Sequence, residues 1–226
     1  MLITKQCSVC NHQFSYDPRV AKNPFVQPYS DGAKYYYNLW HTLVEECPNC
    51  GYASMDITKC SNKDIISSDK VKNISKMDIL VELNNTRPNR IECYMKAACY
   101  YESIGDVYNE ILCLFQAGDL VYGELMYWQE YVFDNTDSIA KLINQTQYNE
   151  LKKFGDVMFN SAIEKLETYV RDNPHDIDAK LLLAGNLCDG NKVQVLQGSK
   201  ILSTLHSYPL SQMQMLALSF LEGQVR

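Results

Sequence analysis

The sequence lacks any long apolar stretch. No apolar run in its 226 residues approaches the roughly 18 needed to cross a bilayer, and residues 1–6 contain no apolar signal-peptide core. We therefore expect a cytoplasmic protein without a membrane span. In that reducing compartment, paired cysteines favour metal binding over disulfides.

Long basic runs are also missing. Lys and Arg never occur more than two in succession, and the formal net charge is −6. Proteins that bind nucleic acids or anionic membrane surfaces concentrate positive charge. The composition therefore disfavours both functions, and we expect no nucleic-acid or membrane partner.

Known catalytic motifs do not occur either. The chain contains no Gly-rich phosphate loop, no His-Glu-x-x-His and no Gly-x-Ser-x-Gly. Carboxylates such as Glu45, Glu46, Asp106 and Asp178 lie where charged surface or helix ends are expected, and none pairs with a base. These absences disfavour an enzyme.

What the sequence does contain is nine cysteines, four of which form two closely spaced pairs. Cys7 and Cys10 form one pair, and Cys47 and Cys50 form the other. Each pair can present two thiolates from a tight turn, and two pairs complete the tetrahedral shell of one Zn²⁺ ion. We therefore predict a single structural zinc site made by these four residues.

Three other interpretations of the pairs stay open. A catalytic zinc needs an open position, with His12 or His41 replacing a cysteine, but four thiolates close the shell and both histidines suit surface or stacking positions better. A thioredoxin-like redox site needs a βαβ context, whereas the flanking residues favour β-hairpins. Two unrelated turns with buried thiols are the third interpretation.

The residues around the pairs predict how the cysteines are displayed. Alternating apolar residues flank the first pair, and Asn11 and Gly51, each directly after a pair, suit a left-handed backbone. Pro and Gly predict an irregular loop over 17–33, followed by a strand over 35–44. Two hairpins tipped by cysteine pairs are typical of a zinc ribbon, which we assign to residues 1–60.

The chain resembles an uncharacterised bacterial domain-of-unknown-function family in three stretches: the earlier cysteine pair, the aromatic residues over 35–40 and the run from Cys47 to Ala53. In that family a cysteine-paired zinc module precedes a tetratricopeptide-like helical region. Only residues 7–53 carry the specific motifs, and Ser8 stands where the family usually has Pro. The resemblance implies zinc binding and this architecture, and it implies no activity.

Beyond a polar linker assigned to residues 61–84, the apolar period changes from two to about 3.6, which predicts helices over 85–226. Gly105–Asp106 separates two apolar helical faces of a hairpin that fits a tetratricopeptide repeat. A second candidate repeat ends at Asn173–Pro174, and a third runs over 177–209. An irregular helical bundle is the alternative. The faces of the first hairpin are Tyr94, Ala97, Ala98, Tyr101 and Ile104, then Ile111, Leu114, Phe115 and Ala117.

The chain is thus predicted to be α+β and mostly α, with a small zinc-ribbon-like β segment followed by tetratricopeptide-like antiparallel helical hairpins. Stacked hairpins commonly present a surface to a protein or peptide. Most of the 16 tyrosines are expected in the core, and Tyr94, Tyr101 and Tyr108 are candidates for the partner surface. The predicted function is a protein–protein interaction scaffold. A metal-dependent or thiol-redox enzyme that uses one Cys-x-x-Cys pair is the alternative.

Overall fold

The structure of the protein is a computed structural model that describes residues 3–16, 39, 43–74, 90–127 and 138–225. Helices dominate these residues, and the strands among them are short. The predicted class, α+β with mostly α structure, is therefore confirmed.

Two antiparallel hairpins carry the cysteine pairs. Strand β1 (Ile3–Gln6) pairs with β2 (Gln13–Tyr16), and β3 (Glu45–Glu46) pairs with β4 (Ala53–Ser54). Each cysteine pair lies in the turn between its two strands, as the sequence predicts.

The strand predicted over 35–44 does not form where the structure describes that segment. Leu39 is helical, and Leu43 and Val44 precede β3 without belonging to a strand. A high β-propensity is overridden here because it reflects the packing context more than a backbone preference. The rest of the segment, and the predicted loop over 17–33, lie outside the described residues.

The helices follow the second hairpin. In chain order they are a 3₁₀ helix (Lys63–Ser67), α1 (Asp69–Ile74), α2 (Arg90–Ile104), α3 (Val107–Tyr127), α4 (Ser138–Asp172), α5 (Ile177–Cys188), α6 (Lys192–Leu205) and α7 (Gln212–Gln224). The last three begin at polar N-cap residues: Asp176 accepts a hydrogen bond from the Ala179 N–H, and Asn191 and Ser211 form capping boxes. The predicted linker over 61–84 contains the 3₁₀ helix and α1, and its residues beyond 74 lie outside the described part.

The first predicted helical hairpin is present as α2 and α3. Gly105 follows α2 with a φ of +73°, which residues with a Cβ rarely adopt. The apolar face predicted on α3 is confirmed by Ile111, Phe115 and Ala117, which are completely buried. Ile104 is an exception on α2, since it lies in the last turn and is 36% exposed.

The second candidate repeat is not a hairpin, because residues 138–172 form the single helix α4. This helix contains Gly155–Asp156, the same dipeptide that follows α2, yet its backbone stays helical here. Gly155 instead permits close packing, since an added Cβ would lie 2.8 Å from a Val121 methyl carbon on α3. The dipeptide alone therefore does not specify a helix end.

The third candidate repeat is present as the hairpin of α5 and α6. Leu183, Ala184 and Leu187 are buried on α5 as predicted. Gly198 on α6 makes a close approach possible, since an added Cβ would lie 2.8 Å from the carbonyl oxygen of Ala184. The hairpin is thus real, and its assignment to the tetratricopeptide class stays a prediction.

The chain forms two compact units: Met1–Ala21 with Thr42–Ala162, and Lys22–His41 with Ile163–Arg226, so that one division falls within α4. The first unit contains both hairpins and α1–α3, and the second contains α5–α7. The predicted segments 1–60, 61–84 and 85–226 stay predictions. Hairpins as small as these bury little surface alone. Tyr52 of the second hairpin accordingly packs edge-on against Tyr100 of α2, with ring centroids 5.2 Å apart.

Across the part of the chain that the structure describes, none of the helices combines the length and apolar character that crossing a lipid bilayer requires.

Gly118→Ala is expected to lower the free energy of unfolding by roughly 1–3 kcal/mol. An added Cβ would lie 2.7 Å from the ring of Phe159 on α4, and Phe115 and Tyr122 pack against that ring. Gly123→Ala on the same helix is the control, because nothing lies within 4 Å of its added Cβ. Urea unfolding followed by circular dichroism measures both variants. Equal stability of the two would contradict the expectation.

Candidate metal centre

The two cysteine turns have the same pattern of backbone hydrogen bonds. The Cys7 N–H donates to the carbonyl oxygen of His12 (2.9 Å), and the Cys47 N–H donates to that of Tyr52 (2.8 Å). Within each turn, the carbonyl oxygen of the first cysteine also accepts from the residue directly after the second cysteine, at 2.9 Å in both cases. Each strand pair thus closes on a tight knuckle that fixes the direction of its thiols.

The residue after each pair supplies the conformation that closes the knuckle. Asn11 has a φ of +59° and Gly51 a φ of +72°. Gly has no steric penalty in this left-handed region, and Asn tolerates it better than most other residues. The prediction made for these two positions is therefore confirmed.

The four sulfur atoms converge. All four Sγ atoms of Cys7, Cys10, Cys47 and Cys50 lie within 4.8 Å of one another. The Sγ atoms of Cys7 and Cys50 are 3.7 Å apart, and those of Cys10 and Cys47 are 3.6 Å apart. Tetrahedral Zn–S bonds of about 2.3 Å place sulfurs about 3.8 Å apart, whereas a disulfide needs about 2.05 Å. The cluster therefore fits one tetrahedral metal ion.

The remaining five cysteines take no part in this cluster, and all nine are free thiols. Within the described ranges, no other set of three or more Cys, His, Asp or Glu side chains gathers its ligand atoms so closely. The predicted ligand set is thus the one that the fold brings together.

The thiols differ in environment. Cys7 and Cys47 are buried, while Cys10 and Cys50 are partly exposed. The side chain of Asn49 and then the backbone N–H of His12 hydrogen-bond Cys10 and lower its pKa to about 6. Burial raises the pKa of both Cys47 and Cys50. Since only thiolates bind the ion, a bound cation must offset that cost for the second pair.

Neither nearby histidine is needed to explain the site. His12 is exposed and lies stacked with Phe14, with ring centroids 6.4 Å apart. This agrees with the surface or stacking position predicted for it, and His41 lies outside the described residues. The histidine-for-cysteine interpretation therefore gains no support from His12.

Ser8, where the resembled family has Pro, anchors the first knuckle. Both its N–H and its hydroxyl donate to the carbonyl oxygen of Ile57, each at 3.1 Å. Proline could make neither bond. Ser8 therefore ties the first knuckle to the segment that follows the second.

The carboxylates before the second knuckle are not surface groups, contrary to expectation. Glu45 is buried and forms an ion pair with Lys5 of β1. Glu46 accepts a 2.7 Å hydrogen bond from the Lys96 ammonium and another of 2.7 Å from the Cys93 thiol, both on α2. Sequence reasoning missed these pairs because the partners are far apart in the chain and no local pattern connects them.

The tyrosines proposed as a partner surface lie mostly inside the protein. Tyr94 and Tyr101 are 3% and 7% exposed, and the Tyr101 hydroxyl accepts a hydrogen bond from the backbone N–H of Met55. Tyr108 is partly exposed. Buried side chains offer nothing to a partner, so the prediction is wrong for the first two. They hold the second hairpin and α3 against α2.

Comparison of the chain with known protein families, curated proteins and solved structures finds no match. The resemblance to the domain-of-unknown-function family stays a prediction.

Asn11→Ala is expected to lower the free energy of unfolding by about 1–2 kcal/mol, the cost of placing an ordinary residue in the left-handed region. Asn11→Gly is the control, because glycine adopts this backbone without that penalty. Thermal unfolding of both variants at saturating zinc measures the difference. Equal destabilisation by the two substitutions would show that φ is not the cause.

Proposed function

We propose that Cys7, Cys10, Cys47 and Cys50 hold one Zn²⁺ ion whose function is structural. The observation that carries this proposal is the convergence of four sulfurs from two knuckles, all within 4.8 Å of one another, with two of the distances at 3.6 and 3.7 Å. Soft thiolate ligands in tetrahedral geometry favour zinc or iron–sulfur chemistry. Zinc is the better assignment because its structural sites are four-coordinate and closed, and four cysteines close this one.

The ion's contribution is to fold stability. The strands are only four and two residues long, so they form few hydrogen bonds. The two hairpins meet at their knuckles, where the four sulfurs converge. A metal bound only by the folded arrangement adds its binding free energy to folding. The zinc-bound chain is accordingly the folded form of the first unit.

The alternative, a thiol-redox or metal-dependent enzyme, depends on Cys10. A reactive cysteine needs a low pKa and exposure, and Cys10 has both features. Cys47, its neighbour in the cluster, has neither feature, because it is buried and its pKa is raised. A closed four-sulfur shell leaves no position for substrate, so the structural function has the stronger support.

Cys47→Ser is expected to abolish zinc binding and unfold the first unit, while the wild-type chain holds one zinc per molecule. The reason is that a serine hydroxyl does not replace a thiolate ligand and the metal-bound state is the folded one. Cys60→Ser is the control, since Cys60 lies outside the cluster.

Elemental analysis of the purified proteins gives the metal content, and circular dichroism gives the fold. Full zinc content in the Cys47→Ser protein would refute the site. Iron in place of zinc in the wild-type protein would keep the ligand set and refute the assigned metal.

The second proposed function is binding of a protein or peptide by the helical region, and the supporting observation is a groove. Helices α4, α5 and α6 line an open groove of about 350 Å³ whose apolar lining includes Val170, Leu183, Leu187 and Ile201. This volume is within the usual range for binding pockets, about 300–1,000 Å³. We call it the α4–α6 groove.

The rim of the α4–α6 groove indicates the chemistry of its occupant. Arg171 and Lys200 line it together with a single carboxylate, Glu167. One turn earlier on the same face of α6, Leu196 is 72% exposed. Apolar contacts beside an excess of positive charge, on a chain of net charge −6, favour a peptide with aliphatic and acidic residues.

A double variant, Leu196→Gln with Lys200→Gln, is expected to weaken binding of acidic amphipathic peptides about tenfold, the effect of losing a contact worth over 1 kcal/mol. The control is Val157→Gln with Lys153→Gln, an exposed pair on α4 that makes the same change in charge and polarity.

A displayed library of amphipathic peptides with acidic or basic flanks supplies the probes, and fluorescence anisotropy of the selected peptides gives the affinities. Selection of basic peptides, or equal affinity of the two double variants, would contradict this use of the groove.

A further inference from the structure

Lys96 lies at the junction between α2 and the second knuckle. Its ammonium donates to Glu46 at 2.7 Å and pairs with Glu92, one turn earlier on α2, at 2.5 Å. The residue is 8% exposed. A lysine so deeply buried requires ionic partners, and both are present.

The second knuckle borders directly on this ion cluster. Glu46 immediately precedes Cys47. One oxygen of the Glu46 carboxylate accepts from Lys96, and the other accepts from the Cys93 thiol at 2.7 Å. On the far side of the knuckle, a Cβ added to Gly51 would lie 3.7 Å from the Lys96 ammonium nitrogen and 3.6 Å from a Glu46 oxygen. The ammonium group thus lies beside both ends of the turn that carries Cys47 and Cys50.

The two knuckles are anchored differently. The first is bound through Ser8 to Ile57, in the segment after β4. The second is bound through Glu46 to a helix of the first unit. Helix α2 therefore positions Cys47 and Cys50, and the first knuckle is positioned relative to them.

The charge of a filled site makes the position of Lys96 consequential. Four thiolates around Zn²⁺ carry a net charge of about −2, and Glu46 and Glu92 add two carboxylates nearby. Burial alone lowers the pKa of Lys96, but its bonds to Glu46 and Glu92 outweigh burial and leave that pKa raised. The lysine therefore stays a cation and offsets one of these two carboxylates.

We propose that Lys96 is a positioning residue for the metal centre: through Glu46 it fixes the second knuckle to α2. This inference rests on the zinc site proposed above. It extends the metal centre beyond its four ligands to a helix that the sequence assigns to a separate domain.

The test compares the zinc affinities of Lys96→Met and Lys70→Met. Partners outside the ligand shell typically change metal affinity 10–100-fold, so Lys96→Met should raise the zinc Kd by about that factor. Lys70 is the control because it also pairs with a glutamate of α2, Glu102, but at an exposed position and without a contact to the second knuckle in its ion pair. Its substitution should leave the Kd within about twofold, as expected of an exposed pair.

Competition with a chromophoric chelator gives the Kd, and the thiolate-to-metal absorption of Co²⁺-loaded protein reports the geometry of the sulfur shell. A shifted cobalt spectrum with Lys96→Met, and an unshifted one with Lys70→Met, is expected. A folded Lys96→Met protein with wild-type Kd and spectrum, or equal weakening by both substitutions, overturns the proposal.

A second variant keeps the test decisive if Lys96→Met does not fold. Replacing both partners, Glu46→Leu with Lys96→Met, removes the anchor without leaving Glu46 unpaired, and such replacements of buried ion pairs are often tolerated. The same 10–100-fold weakening is expected. Wild-type affinity of this double variant overturns the inference alone, whereas a wild-type chain that binds no zinc overturns the proposed function first.

Discussion

The packing of the second hairpin against α2 is the interaction on which the metal centre depends. Tyr52 packs on Tyr100, and the Tyr100 and Tyr101 hydroxyls accept hydrogen bonds from the N–H groups of Ser61 and Met55. These contacts give a hairpin of two-residue strands a rigid base. From this base the second knuckle meets the first, with all four sulfurs within 4.8 Å of one another. Helix α2 therefore stabilises the hairpin that carries Cys47 and Cys50.

The ligands could be predicted from sequence because their geometry is local. A Cys-x-x-Cys turn followed by Asn11 or Gly51 specifies its own hydrogen bonds and its left-handed residue, whatever surrounds it. Helix existence was predictable for the same reason, from period and breaker residues. Gly105–Asp106 was predicted to separate two helices, and it does. The same dipeptide at Gly155–Asp156 stays inside α4, where the glycine packs closely against Val121.

What the sequence could not supply is pairing over long separations. Glu46 and Lys96 are ordinary surface residues by composition, yet Lys96 is buried and Glu46 is only partly exposed, because the second hairpin approaches α2. The same approach buries Tyr94 and Tyr101, which aromatic enrichment alone had assigned to a partner surface. The α4–α6 groove was equally hidden, because its apolar lining comes from three helices and resembles ordinary core positions in the sequence. Each of these features is a property of tertiary contact.

The acidic balance of the chain gives these lysines a particular importance. A four-thiolate zinc centre is anionic, and in a protein of net charge −6 cations held nearby favour it, as do backbone N–H groups that hydrogen-bond the thiolates. Lys5 pairs with Glu45 and Lys96 pairs with Glu46, the two residues that precede Cys47. Each lysine is also held by a carboxylate, so its position is set by the same fold that brings the four sulfurs together.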